Sequence, residues 1–485
     1  RSRGPLISLP ATAGYETIHA SLLGGMDNFN ASLETLNAPV NSLVWGWPTL
    51  GLIAVTGIFL MFGLRFIPLR KLVYGFKLVL APPEQGSEGE ISPFQALMTS
   101  LAATIGTGNI AGVSTAIAVG GAGAVFWMWL IALFGIATKY AEAVLAVQFR
   151  QIDASGNHVG GPMYYIRNGL GKRWAWMGSL FALFGMLAGF GIGNGVQSFE
   201  LAKALEKSMQ VPREITGIVL GVLIFLVVIG GVRRIAKAAS AIVPIMGILY
   251  VGACVVILSI NYSEIPAAFG LIFSSAFTGK AAVGGAFGAV VLQGFKRGIF
   301  SNEAGLGSAP IAHAASRAKS PVRQGFIAML GTFIDTFIVC SMTALVVITT
   351  YSKDLFGMTD EARKALAGSE ISIAAFGQGI SGGGSIVTAG IVVFAFTTIL
   401  GWSFYGEKCT QYLFGDKAIF PYRLVWIAVA VLAAIAGEKG LVWDLSDTLN
   451  GLMALPNLIA LLLLSGTVFK LTRNYQLTPH QSETD

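Results

Sequence analysis

The sequence predicts an all-α polytopic membrane protein, and three observations carry that prediction. Only 12% of the 485 residues are charged and 54% are hydrophobic, against about 25% charged in an ordinary soluble domain. The apolar residues fall in long runs: a bilayer core about 30 Å thick takes roughly 20 apolar residues per helix, and 43–64, 213–231 and 385–406 each meet that length. The runs do not alternate polar with apolar, as the roughly ten-residue strands of a membrane β-barrel do.

Taken in order, eleven spans are expected at 43–64, 93–118, 120–149, 174–200, 213–232, 238–260, 283–315, 322–350, 385–407, 422–437 and 442–468. An arm, 1–42, precedes them. It is mostly polar, and its amphipathic stretch "HASLLGGMDNFNASLETL" suits the outer membrane surface. The first span and the basic loop behind it occupy 43–92. The segment 262–279 is too polar and broken to cross and reads as an interfacial helix, while the charged 351–370 reads as a short external one. A cytoplasmic tail, 469–485, ends the chain.

Basic residues set the orientation. Of the 32 Lys and Arg, 19 lie in one alternating set of loops, from Arg65 through to Lys470 and Arg473. The opposite set holds 10, and Lys139, Lys296 and Arg297 lie inside spans. The bias puts the N-terminus outside and the C-terminus inside a cytoplasmic membrane, and the net charge of +7 is read as topology rather than as a nucleic-acid surface. Cys254, Cys340 and Cys409 are scattered, and neither they nor the four histidines have metal-ligand spacing. No cofactor is expected, and no soluble catalytic domain or catalytic dyad stands out. The start, "RSRGPLISLPATAGYE", lacks the apolar core of a signal peptide.

Two spans break the pattern. "ATIGTGNIAG", 103–112, places three glycines and an asparagine in the middle of an apolar run. Each helical glycine costs about 1 kcal/mol relative to alanine, and backbone freed in a bilayer must face protein or a wet cavity. Close helix packing through small residues is the alternative for that stretch taken alone. A second stretch, 284–315, is too long for one straight span and carries Gly294, Gly298, Gly305 and Gly307 with Lys296, Arg297 and Glu303 near its middle. Four ordinary spans separate the two. Interrupted helices at matching places in two halves point to a carrier built from an inverted repeat with a midplane site, here 93–260 and 283–468, with 43–64 as an extra leading helix. An unwound turn offers amide hydrogens to a carboxylate and carbonyls to Na⁺ or an ammonium. A small zwitterion matches both poles.

"TGNIAGVSTAI", "GGPMYYI", "FSNEAGLGSAP" and "FTTILGWSFYGE", in that order and spacing, resemble the alanine or glycine:cation symporter family over about 45–470. The resemblance implies a LeuT-like fold, a five-plus-five inverted repeat with one extra N-terminal helix, and sodium-coupled uptake of alanine and glycine. It further implies that Gly106, Thr107 and Gly108 line the substrate site. On the same resemblance Ala102 and Ile105 would offer carbonyls to one sodium, and Asn109 would offer its amide oxygen to that ion or to a second cation. Thr397 and Thr398 complete the ion's shell. Two adjacent hydroxyls are hard oxygen donors, although a Thr-Thr pair also commonly bonds back to its own helix.

Other candidates come from residue chemistry. Gln197 and Asn194, one helical turn apart, donate to a carboxylate without burying a charge; interhelical bonding is the alternative for Asn194. The glycines 185, 189, 191, 193 and 195 make a thin face for packing against the first broken helix. Phe300, Ser301 and Asn302 are placed in the second break, with Phe300 walling the pocket, and Trp402 caps it. Asp335, a carboxylate in mid-span, is a functional candidate; pairing with Lys296 or Arg297 ranks ahead of cation coupling. Lys139 and Glu142, three apart, are expected to pair. "HVGGPMYYI" reads as a cytoplasmic gate or re-entrant turn. The expected function is sodium-driven symport of a small neutral amino acid; proton coupling in the same fold, and more remotely a channel, are the rivals.

Overall fold

The structure is a computed structural model, described here for residues 34–82, 86–277, 286–366, 368–436 and 441–477. The amphipathic stretch of the N-terminal arm lies outside the described residues up to 33. From Glu34 the chain is helical with a break at Trp45–Gly46, so the leading helix starts earlier than 43. Trp45 and Asn41 fasten that entry to the last helix, through Trp45 Nε1 to the Asp447 carbonyl (2.9 Å) and Asn41 Nδ2 to Thr448 Oγ1 (2.8 Å).

Among the described residues, eight helices are long and apolar enough to cross a membrane, or nine if the bent pair Pro93–Thr104 and Gly108–Gly120 counts as one span. Of the other two expected spans, 213–232 is a helix of 16 residues, Arg213–Val228, and 283–315 is split into Ala286–Asn302 and Ala309–Ala314. The expected interfacial segment is a helix of 13 residues, Ile265–Phe277. The charged 351–370 region holds two short helices, Asp360–Ala365 and the start of Gly368–Gly379. A two-residue hairpin, Gln151–Ile152 against His158–Val159, is the departure from an all-helical chain. It leads to Gly161, whose φ of +114° lets the chain turn into the buried helix Pro162–Gly169.

Burial sorts the helices. Ala124–Gln148 has 83% of its apolar window buried and is central. Helices at the periphery leave large apolar side chains exposed, among them Val219, Phe225, Ile248, Leu249, Phe420 and Leu432. An exposed apolar belt of this extent suits lipid, since soluble monomers rarely show contiguous patches beyond a few hundred Å².

Three inner helices contain π-helical segments: Gly108–Gly112, Gly189–Gly195 and Phe333–Cys340. Such segments favour functional positions, because the wider turn leaves backbone and side chains in unusual directions. The first belongs to the broken span itself, Phe333–Cys340 packs against it through Asp335, and Gly189–Gly195 packs on Gly383–Phe414 and Leu441–Leu477.

Candidate functional site

The first broken helix begins firmly. Ser92 caps it in a reciprocal box, its Oγ accepting from Gln95 N (3.1 Å) while Gln95 Oε1 accepts from Ser92 N (3.0 Å), and Pro93 follows at the first helical position. It ends at Thr104, and Ile105 is extended (φ −77°, ψ 94°). The N–H of Gly106, which a continued helix would give to the Ala102 carbonyl, goes to Asn109 Oδ1 at 2.9 Å. The helix resumes bent by 55°.

Around this break the structure gathers several of the expected residues. Thr398 Oγ1 donates to the Ile105 carbonyl (3.4 Å). Gln197 Oε1 accepts from the N–H and the hydroxyl of Thr107 (3.4 and 3.2 Å). A side chain on Gly106 would stand 2.6 Å from Thr398 Oγ1, so only glycine leaves the approach open. The Phe300 ring lies 3.4 Å from where a Gly108 side chain would begin. Ala102, Ile105, Gly106, Thr107, Gly108, Gln197, Phe300 and Thr398 thus form one locus of carbonyls, amides and two hydroxyls.

Other expected residues are engaged elsewhere. Thr397 bonds back to its own helix, at Val393 O (3.1 Å) and Phe394 O (3.0 Å). Asn194 ties helices together, Nδ2 donating to the Trp426 carbonyl (2.7 Å) and Oδ1 accepting from Ser198 (3.2 Å). The glycine face of its helix packs on Trp402, Trp426, Cys409 and Ser446, not on the first broken helix as expected. That face turns towards the bulky indoles, and Gln197 is the residue that faces the break.

Asn109 reaches the carboxylate of Asp335, in the Phe333–Cys340 segment. Its Nδ2 donates to Asp335 Oδ1 (2.6 Å) and Ser301 Oγ (3.0 Å), and Ser301 Oγ donates to Asp335 Oδ2 (2.6 Å). Thr336 Oγ1 donates to the same oxygen at 3.1 Å. The expected pairing of Asp335 with Lys296 or Arg297 is not what forms. Lys296 is held by Asp447 (3.2 Å) and lies over the Trp45 ring, on the far side of its helix. Asp335 is instead satisfied by neutral donors. The cluster is the missed part of the site: nothing in sequence links Asn109, Ser301 and Asp335.

The second break begins at Glu303, three residues later than expected. Phe300, Ser301 and Asn302 are the last residues of helix Ala286–Asn302, and the irregular turn follows at Glu303 (φ +55°), Gly305 (φ +93°) and Gly307 (φ +83°). Asn302 closes it, accepting from Ala304 N (2.9 Å) and donating to Thr336 Oγ1 (3.0 Å). Glu303 accepts from Trp402 Nε1 (3.0 Å) and from the Ser308 hydroxyl, so Trp402 anchors this turn rather than capping a pocket. Glu142 Oε1 accepts from Gly305 N (3.1 Å) and Asn457 Nδ2 (2.7 Å). The expected Lys139–Glu142 pair does not form, and Lys139 Nζ is buried without a hydrogen-bond partner. Glu142 Oε1 is taken by the turn, while its Oε2 is likewise buried without a hydrogen-bond partner.

A helical membrane bundle that interrupts a central span and lines the gap with carbonyls, amides and small hydroxyls has the features of a solute carrier. Comparison with known proteins specifies the kind: residues 30–485 match the sodium:alanine symporter family, and the chain belongs to that family. It is similar to the sodium/alanine symporter AgcS of Methanococcus maripaludis, 50% identical over 90% of this chain and 96% of that one. It is also similar to a protein of Bacillus subtilis named a probable sodium/glutamine symporter, GlnT, 39% identical over 91% of each chain. Among solved structures, a manganese transporter of Eremococcus coleocola overlays with TM-score 0.46 at 14% identity, covering 76% of this chain and 75% of that one.

Proposed function

We propose that the chain carries alanine or glycine into the cell together with Na⁺ by alternating access. The observation that supports this most is the meeting of the Thr398 hydroxyl with the Ile105 carbonyl at a helix that stops at Thr104. Carbonyl and hydroxyl oxygens are the hard donors an alkali ion takes, and Na⁺ entering there displaces the weak 3.4 Å hydrogen bond between them. The amides of Thr107 and Gly108 begin the resumed helix, where the positive dipole end suits a carboxylate. Gln197 sets the Thr107 end, and the Phe300 ring leaves little room beside Gly108. That tightness favours a methyl or hydrogen side chain.

The same reading includes eleven spans, an outside N-terminus, the repeat 93–260 and 283–468 of a LeuT-like fold, and rocking of one bundle against the other. Asp335 beside Asn109 is the observation that keeps proton coupling in view. The test is uptake of labelled alanine and glycine into proteoliposomes. An inward sodium gradient should drive accumulation. Uptake that survives replacement of sodium by potassium and collapses with the pH gradient would reject sodium in favour of protons.

A further inference from the structure

The Arg297 side chain has no role in the site just described. It projects one helical turn from Phe300 towards Gly112, with Cδ 4.0 Å from where a Gly112 side chain would begin. Its Nε is buried without a hydrogen-bond partner, and it has no ion pair among the described residues. The carboxylate whose charge reaches it is Asp447, and that one is bound by Lys296 at 3.2 Å. An arginine within a membrane span costs about 2.5–3.5 kcal/mol on insertion scales, and a buried unsatisfied donor costs a further 1–3 kcal/mol or so. Asp447 offsets part of the first cost through its charge, and no hydrogen bond among the described residues offsets the second.

Arg297 opens onto a cavity of about 490 Å³, room for some fifteen waters at about 30 Å³ each. Gly108 and Phe300 form its floor, so it stands directly over the candidate substrate site. Glu200 and Lys203 also line it, and Gly368 belongs to its roof. The roof is seated closely: a side chain on Gly368 would stand 2.0 Å from the Ala111 carbonyl. The charged residues of the lining are the two cations Arg297 and Lys203 against the one carboxylate of Glu200, so the cavity is net positive.

We propose that this cavity is an outer vestibule, and that Arg297 receives the carboxylate of the incoming amino acid there before it drops to Thr107 and Gly108. The inference rests on the amino-acid transport reading above. A guanidinium forks onto a carboxylate with two parallel hydrogen bonds, and a cationic cleft raises the capture rate of an anionic group in a manner that salt screens. The ligand class is an α-amino acid, recognised by its carboxylate and not by its side chain.

Steady-state alanine uptake under a sodium gradient tests this in wild type, Arg297→Gln and Arg297→Lys. In Arg297→Gln the KM should rise about tenfold, the fold-change of a lost charge-assisted contact worth about 1.4 kcal/mol. Vmax should stay within about twofold, with sodium activation unchanged. Raising ionic strength should raise KM in wild type and not in Arg297→Gln. Arg297→Lys, which keeps the charge but loses the fork, should fall between, and it carries the test alone if the glutamine variant does not fold. KM and salt dependence equal to wild type in either folded variant overturns the vestibule role, as does a fall in Vmax at unchanged KM. Those results leave sodium-driven alanine uptake standing, whereas a wild type that takes up no alanine removes the transport reading itself.

Discussion

The two interrupted helices look alike in sequence and differ in what they do with their freed polar groups. At the first, Gly106 turns its amide to Asn109, Thr398 offers a hydroxyl at 3.4 Å, and small residues keep the gap open. At the second, side chains from four other elements close the gap: Glu142, Asn457, Trp402 and Thr336 reach Gly305, Glu303 and Asn302 at 2.9–3.1 Å. The contacts that other helices make at the first break are long, 3.2–3.4 Å, and leave its dipoles ready for a guest. Short contacts at the second fix its geometry. Glycines in a span therefore indicate a break, and the surrounding hydrogen bonds decide whether the break binds or holds.

The contrast can be broken most directly at Gly106. Gly106→Ala places a methyl 2.6 Å from Thr398 Oγ1, and sodium-driven uptake should fall by about a hundredfold or more in protein that remains monodisperse in detergent. Wild-type uptake in that variant would mean the gap is not where the solute sits. A smaller effect is expected at the hydroxyl pair. Thr398→Val should raise the sodium concentration for half-maximal uptake about tenfold, the cost of one oxygen ligand in the 1.5–3 kcal/mol range of contacts to charged groups. Thr397→Val, whose hydroxyl serves its own helix, should stay within about twofold, and equal effects of the two would deny the assignment. The smallest change in transport is expected at the second break. Glu303→Gln should lower the melting temperature while leaving sodium and alanine activation within about twofold; a tenfold loss of sodium activation would make this turn an ion site as well.

Much of the bundle was legible in sequence because hydropathy over about twenty residues is a strong signal, and the interruptions were legible because glycine and charge are costly at depth. The finer assignments were not. Thr397 and Thr398 are adjacent, and only the rotation of their helix against the first break separates a ligand from a self-bonded hydroxyl. Lys296 pairs with Asp447, 151 positions away, and no local rule predicts that. Lys139 and Glu142 obey the spacing rule for a helical pair, yet Glu142 turns one oxygen to Gly305 and Asn457 and makes no hydrogen bond with Lys139. The glycine face of 185–195 was read correctly as a packing surface and assigned the wrong neighbour, since small residues show that something approaches and not what.

The wide turns at 108–112, 189–195 and 333–340 carry a consequence for motion. Each contains more chain than a regular turn of 3.6 residues needs. Sliding such slack along by a single position rotates the residue it passes by about 100° and leaves both helix ends where they were. A rod built this way can re-aim one polar group at mid-depth without tilting as a whole.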